Sequence, residues 1–191
     1  YAFAMQIDAN FINDYYDFKK GSDLGERLGP KRALTQGWIT PAAMRTGIII
    51  CTIIACSIGL PLVLYGGWWL VAVGAICVIF ALLYTIKFSY KGMGDILVLI
   101  FFGLVPVGFT YYVLSQTITL TALMAGVAVG VVTDNMLIIN NYRDREQDAK
   151  SGKRTIVVKY GAQTGEDYYL LNGVMAVVLC FVCLITKYPW A

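Results

Sequence analysis

Two stretches concentrate short polar side chains in an otherwise apolar chain: NFINDYYDFKKGSD, from Asn10 to Asp23, and DNMLIINNYRDREQD, from Asp134 to Asp148. Read as helices at about 100° per residue, Asn10, Asn13, Asp14 and Asp17 share one face, with Asp8 opposite. The second stretch repeats the pattern, placing Asp134, Asn141, Asp144 and Asp148 together when one helix is continued through all four. Carboxylates three or four residues apart on facing helices suit Mg²⁺, which favours oxygen ligands, keeps several waters and bridges one or two carboxylates to substrate phosphates. Nearby Lys and Arg would hold the remaining phosphate oxygens through charge-assisted hydrogen bonds. The alternative is that each motif marks a helix leaving the bilayer, its aspartates paired with neighbouring cations. Two matched motifs on helices of opposite direction weigh against it, because unpaired carboxylates near lipid are costly and usually mark a function.

The elements that must carry these motifs are membrane helices. Of 191 residues, 58% are apolar and 14% charged, and the mean hydropathy is +0.65, outside the range of a soluble domain. The 41 residues between Arg45 and Lys87 carry no formal charge. As one helix they would run roughly 60 Å, about twice the hydrocarbon core, so they must fold back once. The 38 uncharged residues between Asp95 and Asp134 do the same. Six helices result: Tyr1 to Lys20; Thr40-Pro41 to just before Tyr65, with Thr as N-cap and Pro in the first turn; Trp68 to Ile86; Asp95 to Leu114; Thr119 to about Arg145; and about Gly165 to Thr186. A chain that starts inside a helix at Tyr1 is expected to be a fragment.

Charge orients the bundle. Lys19, Lys20, Arg27, Lys31, Arg32 and Arg45 follow the first helix; Lys87 and Lys91 link the third and fourth; Arg143, Arg145, Lys150, Lys153, Arg154 and Lys159 follow the fifth. These fourteen of fifteen basic residues fall on one side, which the positive-inside rule makes cytoplasmic. Both motifs end on that side. A cation pore would spread its acids through the membrane depth, whereas only Asp8 and Asp134 depart from this face; a passive scaffold leaves the matched motifs without a role. No soluble basic module exists to bind nucleic acid. Cys51, Cys56, Cys77, Cys180 and Cys183 lie in apolar runs and read as buried free thiols; with no histidine in the chain, the C-x-x-C at Cys180 is a weak metal signal. Gly103, Pro106 and Gly108 in the fourth helix allow a kink or close helix approach, with packing the favoured cause over a groove for a lipid tail.

The segments NDYYDFKKGSD, RLGPKRALTQGWIT, YKGMGDILVLIFFG and NNYRDREQDAKSGKRTIVVKYG resemble the UbiA superfamily of intramembrane prenyltransferases, most closely its branch acting on 1,4-dihydroxy-2-naphthoate in menaquinone biosynthesis. The resemblance covers nearly the whole chain. It implies an all-α polytopic bundle of nine transmembrane helices in a bacterial cytoplasmic membrane, of which this single-domain segment, residues 1–191, would hold the second to the seventh. Such a segment alone is expected to be inactive.

By the same resemblance, Asn10, Asp14 and Asp17 would hold one Mg²⁺ and Asn141, Asp144 and Asp148 another, flanking the diphosphate of a polyprenyl donor, with Asp23 extending the first motif. Arg143, Lys153, Arg154, Lys91 and Arg32 are candidates for the diphosphate oxygens; for each the alternative is a positive-inside anchor. Tyr84 would stabilise an allylic cation through its ring, and Asp95 would orient the acceptor or a basic side chain; the alternatives are an interfacial Tyr and a helix N-terminal Asp favoured by the macrodipole. The expected products are demethylmenaquinol, CO₂ and diphosphate. The same chemistry on 4-hydroxybenzoate is the rival among enzymes.

Overall fold

The computed structural model describes residues 1–21 and 29–187. Asp23, placed with the first motif above, and the loop's Arg27 lie outside the described residues. The described chain is helical: α1 (Ala2–Lys20), α2 (Pro41–Gly66), α3 (Trp69–Lys91), α4 (Gly94–Ser115), α5 (Leu120–Arg143), two short helices α6 (Arg145–Lys150) and α7 (Ile156–Tyr160), and α8 (Ala162–Lys187). Among the described residues, α2, α3, α4, α5 and α8 are long and apolar enough to cross a membrane. The chain is a multi-pass all-α membrane protein. The sixth long helix, α1, has 19 residues and carries Asp8, Asp14 and Asp17 among its apolar side chains.

Helix starts follow local chemistry. Thr40 Oγ1 accepts the Ala43 amide at 3.1 Å ahead of Pro41, so the expected N-cap forms, and Thr119 Oγ1 caps α5 in the same way, accepting the Ala122 amide at 3.2 Å. At the other end of α1, Gly21 adopts φ 71° and its amide bonds Asp17 O and Phe18 O, a left-handed cap that glycine takes without Cβ strain.

The solvent pattern is inverted relative to a soluble protein. Ile49, Ile53, Leu64, Trp68, Leu170 and Val177 are exposed, as lipid-facing side chains must be, while Asp8, Asp17, Asp95, Asp134 and Asn172 are buried. With no water inside, buried polar groups seek partners across helices. Thr52 Oγ1 on α2 donates to Asp8 at 2.6 Å, and Asn172 Nδ2 on α8 donates to Asp134 at 3.0 Å. Asp8, set aside above, and Asp134, grouped above with the second motif, do not line the cavity described below.

Packing centres on α5, which α8 accompanies along its length and against which α4 lies. Gly103 is the closest approach: a Cβ there would collide with Gly126 O and the Gly130 backbone. Gly103 therefore serves packing, whereas a Cβ at Gly108 would meet nothing within 4 Å. α4 is π-helical over Leu99–Leu104, just ahead of Pro106, whose ring cannot accept an ordinary α-turn before it. A second π stretch, Tyr84–Phe88, ends α3. Phe80 stacks on Phe88 and Phe101 at 5.8 and 5.0 Å between centroids, joining the two widened stretches. All five cysteines are free.

Candidate active site

A cavity of about 500 Å³ opens where α1, the ends of α3 and α5, the start of α4, and α6 converge. α1 contributes Asn10, Asn13 and Asp14, and α5 contributes Asn141 and Arg143. Asp144 and Asp148 come from the α5–α6 corner, Arg32 and Lys153 from loops. Tyr84 and Asp95 also line it, beside the apolar Leu137. Eleven residues singled out in the sequence thus share one wall or another of a single cavity. Asp17 lies just behind the wall, almost fully buried, while Lys91 and Arg154 are exposed and do not line it.

The corner that carries Asp144 departs from the continuous helix assumed above. Asp144 has φ −94° and ψ 8°, ending α5 and opening α6, and its carbonyl accepts the Asp148 amide at 2.8 Å. Asp148 therefore reaches the cavity from a separate short helix. Gly152, at φ 80°, then turns the chain back, and the Lys153 amide bonds Asp148 O at 2.9 Å. Gly92, at φ 72°, lets the α3–α4 turn pass so close to the Arg154 carbonyl that a Cβ would collide with it. The YKGMG and GKRT segments, far apart in sequence, are thereby pressed together.

Ion pairs join the two motifs. Asp17 Oδ2 stands 3.3 Å from Arg32 Nη2 and 3.4 Å from Lys153 Nζ, and Lys153 Nζ is 3.5 Å from Asp148 Oδ1. With its amide oriented to suit its neighbours, Asn13 donates to Asp17 Oδ2 at 3.2 Å and accepts from Arg32 at 3.1 Å. Arg143 grips Asp144 bidentately, Nε and Nη2 each 2.7 Å from a carboxylate oxygen. Asn10 Nδ2 donates to Gln6 O at 2.9 Å. Burial pushes the Asp148 carboxyl above the ordinary carboxylate range, only partly offset by Lys153. Burial works to lower the Lys153 ammonium, but the charges of Asp17 and Asp148 prevail and hold it above its ordinary value.

The donor set suits Mg²⁺ shared with a phosphate ligand better than an all-protein cage. Among the described residues no three acidic side chains close on one point. Mg²⁺ needs only one or two carboxylates beside waters and phosphate oxygens, and Asp14, Asn141, Asp144 and Asp148 present hard oxygens to one cavity. Asp17 Oδ1 is buried without a hydrogen-bond donor, as is one oxygen of Asp95. The sequence reading missed Lys20 and Tyr90. Lys20 Nζ stands over the Tyr90 ring at 3.6 Å, and Lys153 Nζ lies 5.7 Å from the same ring. No local pattern signals such a contact, because its partners are more than 60 residues apart.

Comparison with known proteins identifies the family. A family model described as the UbiA prenyltransferase family matches residues 1–191. The chain is 35% identical to a 1,4-dihydroxy-2-naphthoate octaprenyltransferase of Haemophilus influenzae, over 97% of this chain and 64% of that protein. It is 36% identical to a protein of the same name from Mycobacterium tuberculosis, over 99% and 65%, and 30% identical to UbiA prenyltransferase domain-containing protein 1 of Mus musculus, over 96% and 55%. The chain spans less than two thirds of the length of these relatives. No solved structure matches it. The chain belongs to the UbiA prenyltransferase family.

Proposed function

We propose that the protein of which this chain is part transfers a polyprenyl group from its diphosphate to 1,4-dihydroxy-2-naphthoate, releasing diphosphate and CO₂, in menaquinone biosynthesis. The observation that carries this reading is that the Asn10–Asp17 and Asn141–Asp148 motifs meet across one cavity rimmed by Arg32, Arg143 and Lys153. The names of the bacterial relatives supply the acceptor.

In this reading Asn10 and Asp14, with Asn141, Asp144 and Asp148, would hold Mg²⁺, and Asp17, behind the wall, holds Arg32 and Lys153 in place rather than the ion. When bound, Mg²⁺ neutralises the charge that gathers on the departing diphosphate. Arg32, Arg143 and Lys153 bind its oxygens, and their guanidinium and ammonium protons stabilise the leaving group as the allylic C–O bond breaks and the electron pair passes to oxygen. Lys91 and Arg154, outside the cavity, add positive charge at its rim. The Tyr84 ring faces the allylic cation. Ring electrons of the naphthoate form the new C–C bond, and the bond to the carboxylate breaks, returning its pair to the ring and releasing CO₂. Asp95, buried with one oxygen lacking a donor, receives a hydroxyl of the acceptor. The surrounding helices keep out the water that would quench the cation.

In this reading the cavity faces the cytoplasm from a bacterial inner membrane, so that the soluble acceptor arrives from water while the bilayer holds the polyprenyl tail; the basic loops beside the cavity support that orientation through the positive-inside rule. The test uses membranes containing the full-length protein, polyprenyl diphosphate, and either 1,4-dihydroxy-2-naphthoate or 4-hydroxybenzoate, with Mg²⁺ or EDTA. Mg²⁺-dependent prenylated product and CO₂ from the naphthoate alone are expected. Product from hydroxybenzoate alone would reassign the acceptor, and product from neither would overturn the reading.

A further inference from the structure

Lys20 is the last residue of α1, three positions beyond Asp17, and reads in sequence as one more positive-inside anchor. Its contacts are more specific. Lys20 Nζ donates to Ile86 O at 2.6 Å and to Thr85 O at 3.4 Å, and it stands 3.6 Å from the centroid of the Tyr90 ring. Thr85 O also accepts Ser89 Oγ at 3.3 Å. Thr85 and Ile86 directly follow Tyr84 in the π-helical stretch that ends α3.

The last carbonyls of a helix have no intrahelical amide to bond, and a cation placed there satisfies them and complements the helix dipole. A π turn leaves its carbonyls on a widened backbone, a geometry that is frequent at functional sites. Lys20 therefore closes the end of the stretch that aims Tyr84. Tyr84 in turn lies against the start of α4, where a Cβ at Gly94 would stand 3.6 Å from its hydroxyl and 3.2 Å from Leu137. Any shift of residues 84–88 relative to α1 moves the Tyr84 ring relative to Asp14.

We propose that Lys20 is a positioning residue that fixes the Tyr84-bearing turn of α3 against the carboxylate helix α1, setting the ring's placement over the reacting carbon. This rests on the function proposed above. Lys20 does not line the cavity and acts through Tyr84.

The test compares Lys20→Met, Lys20→Arg, Tyr84→Leu and the Lys20→Met/Tyr84→Leu double variant in full-length protein. Lys20→Met is expected to lower kcat for naphthoate prenylation by about ten- to a hundredfold with KM for both substrates nearly unchanged, as small misplacements at a reacting centre do. Lys20→Arg should recover most of the rate, and the double variant should be no slower than Tyr84→Leu alone, since coupled residues are non-additive. Without any turnover, Lys20→Met should speed backbone amide exchange across residues 84–91 while Lys20→Arg leaves it slow. Wild-type kcat in Lys20→Met, losses that multiply in the double variant, or unchanged exchange would each overturn the proposal. A wild-type protein that prenylates nothing would instead remove the functional reading, and the exchange contrast would still decide the Lys20 contact.

Discussion

Asp17, fully buried, and Lys153, partly so, lie 136 residues apart in the chain and meet in an ion pair 3.4 Å long. The pair fastens the loop after α6 to the helix carrying the first acidic motif, and Asp148 shares the same ammonium at 3.5 Å. The cavity between the two motifs is thus held in shape by charge as well as by packing.

Lys153→Met should destabilise the fold. It leaves Asp148 without the Lys153 ammonium and Asp17 with Arg32 and Asn13, and breaking a buried pair from one side costs about 3 kcal/mol. Thermal unfolding in detergent with EDTA should show a lowered melting temperature, with Lys153→Arg close to wild type. A melting temperature unchanged by Lys153→Met would mean the pair does not hold the loop.

Asp148→Asn should act in the opposite sense on stability. Because burial holds the folded carboxyl above its unfolded value, the folded state binds this proton more readily than the unfolded chain. Its charged form therefore subtracts from stability once the pH exceeds the unfolded pKa of about 3.9, and the penalty is complete above the folded one. In EDTA at pH 7 the Asn variant should melt higher than wild type, and the gain should shrink as the pH falls through that window. Prenyl transfer should be lost. A gain that grows on acidification would reverse the assigned sign.

Gly103→Ala should loosen α4 from α5. The added methyl meets the Gly126 carbonyl and Gly130 backbone, neither of which can rotate away, and overpacking of this kind costs about 1–3 kcal/mol. Gly108→Ala, with open space around its Cβ, should not destabilise the protein and can gain about 0.5–1 kcal/mol, since alanine is the better helix former. Equal effects in the two variants would contradict the packing described here.

Much of this arrangement was legible in the sequence because a membrane makes the pattern coarse. Uncharged runs and their loops located the long helices to within about five residues, and Thr40 ahead of Pro41 marked one start by side-chain chemistry alone. Helical periodicity also placed Asn10, Asn13 and Asp14 on one face, and all three line the cavity. Periodicity is blind to breaks, however, and the turn at Asp144 puts Asp148 on another helix while α7 has no counterpart in the sequence reading. Nor does spacing along one chain reveal that Asp17 turns to Arg32 and Lys153, or that Lys20 closes the end of α3. Those contacts depend on how distant segments pack, and Gly92 and Gly152 are the backbone devices that bring them together.

The most direct test of the central claim, that the two acidic motifs act together on one diphosphate, is Mg²⁺-dependent release of diphosphate from polyprenyl diphosphate and 1,4-dihydroxy-2-naphthoate by the full-length protein and its Asp14→Asn, Asp144→Asn and doubly substituted variants. Each single variant should lose at least about a hundredfold in kcat while remaining folded, and the double variant should lose little more, as residues acting as a unit do. Turnover within a few fold of wild type in either single variant, or losses that multiply in the double one, would contradict a single shared site.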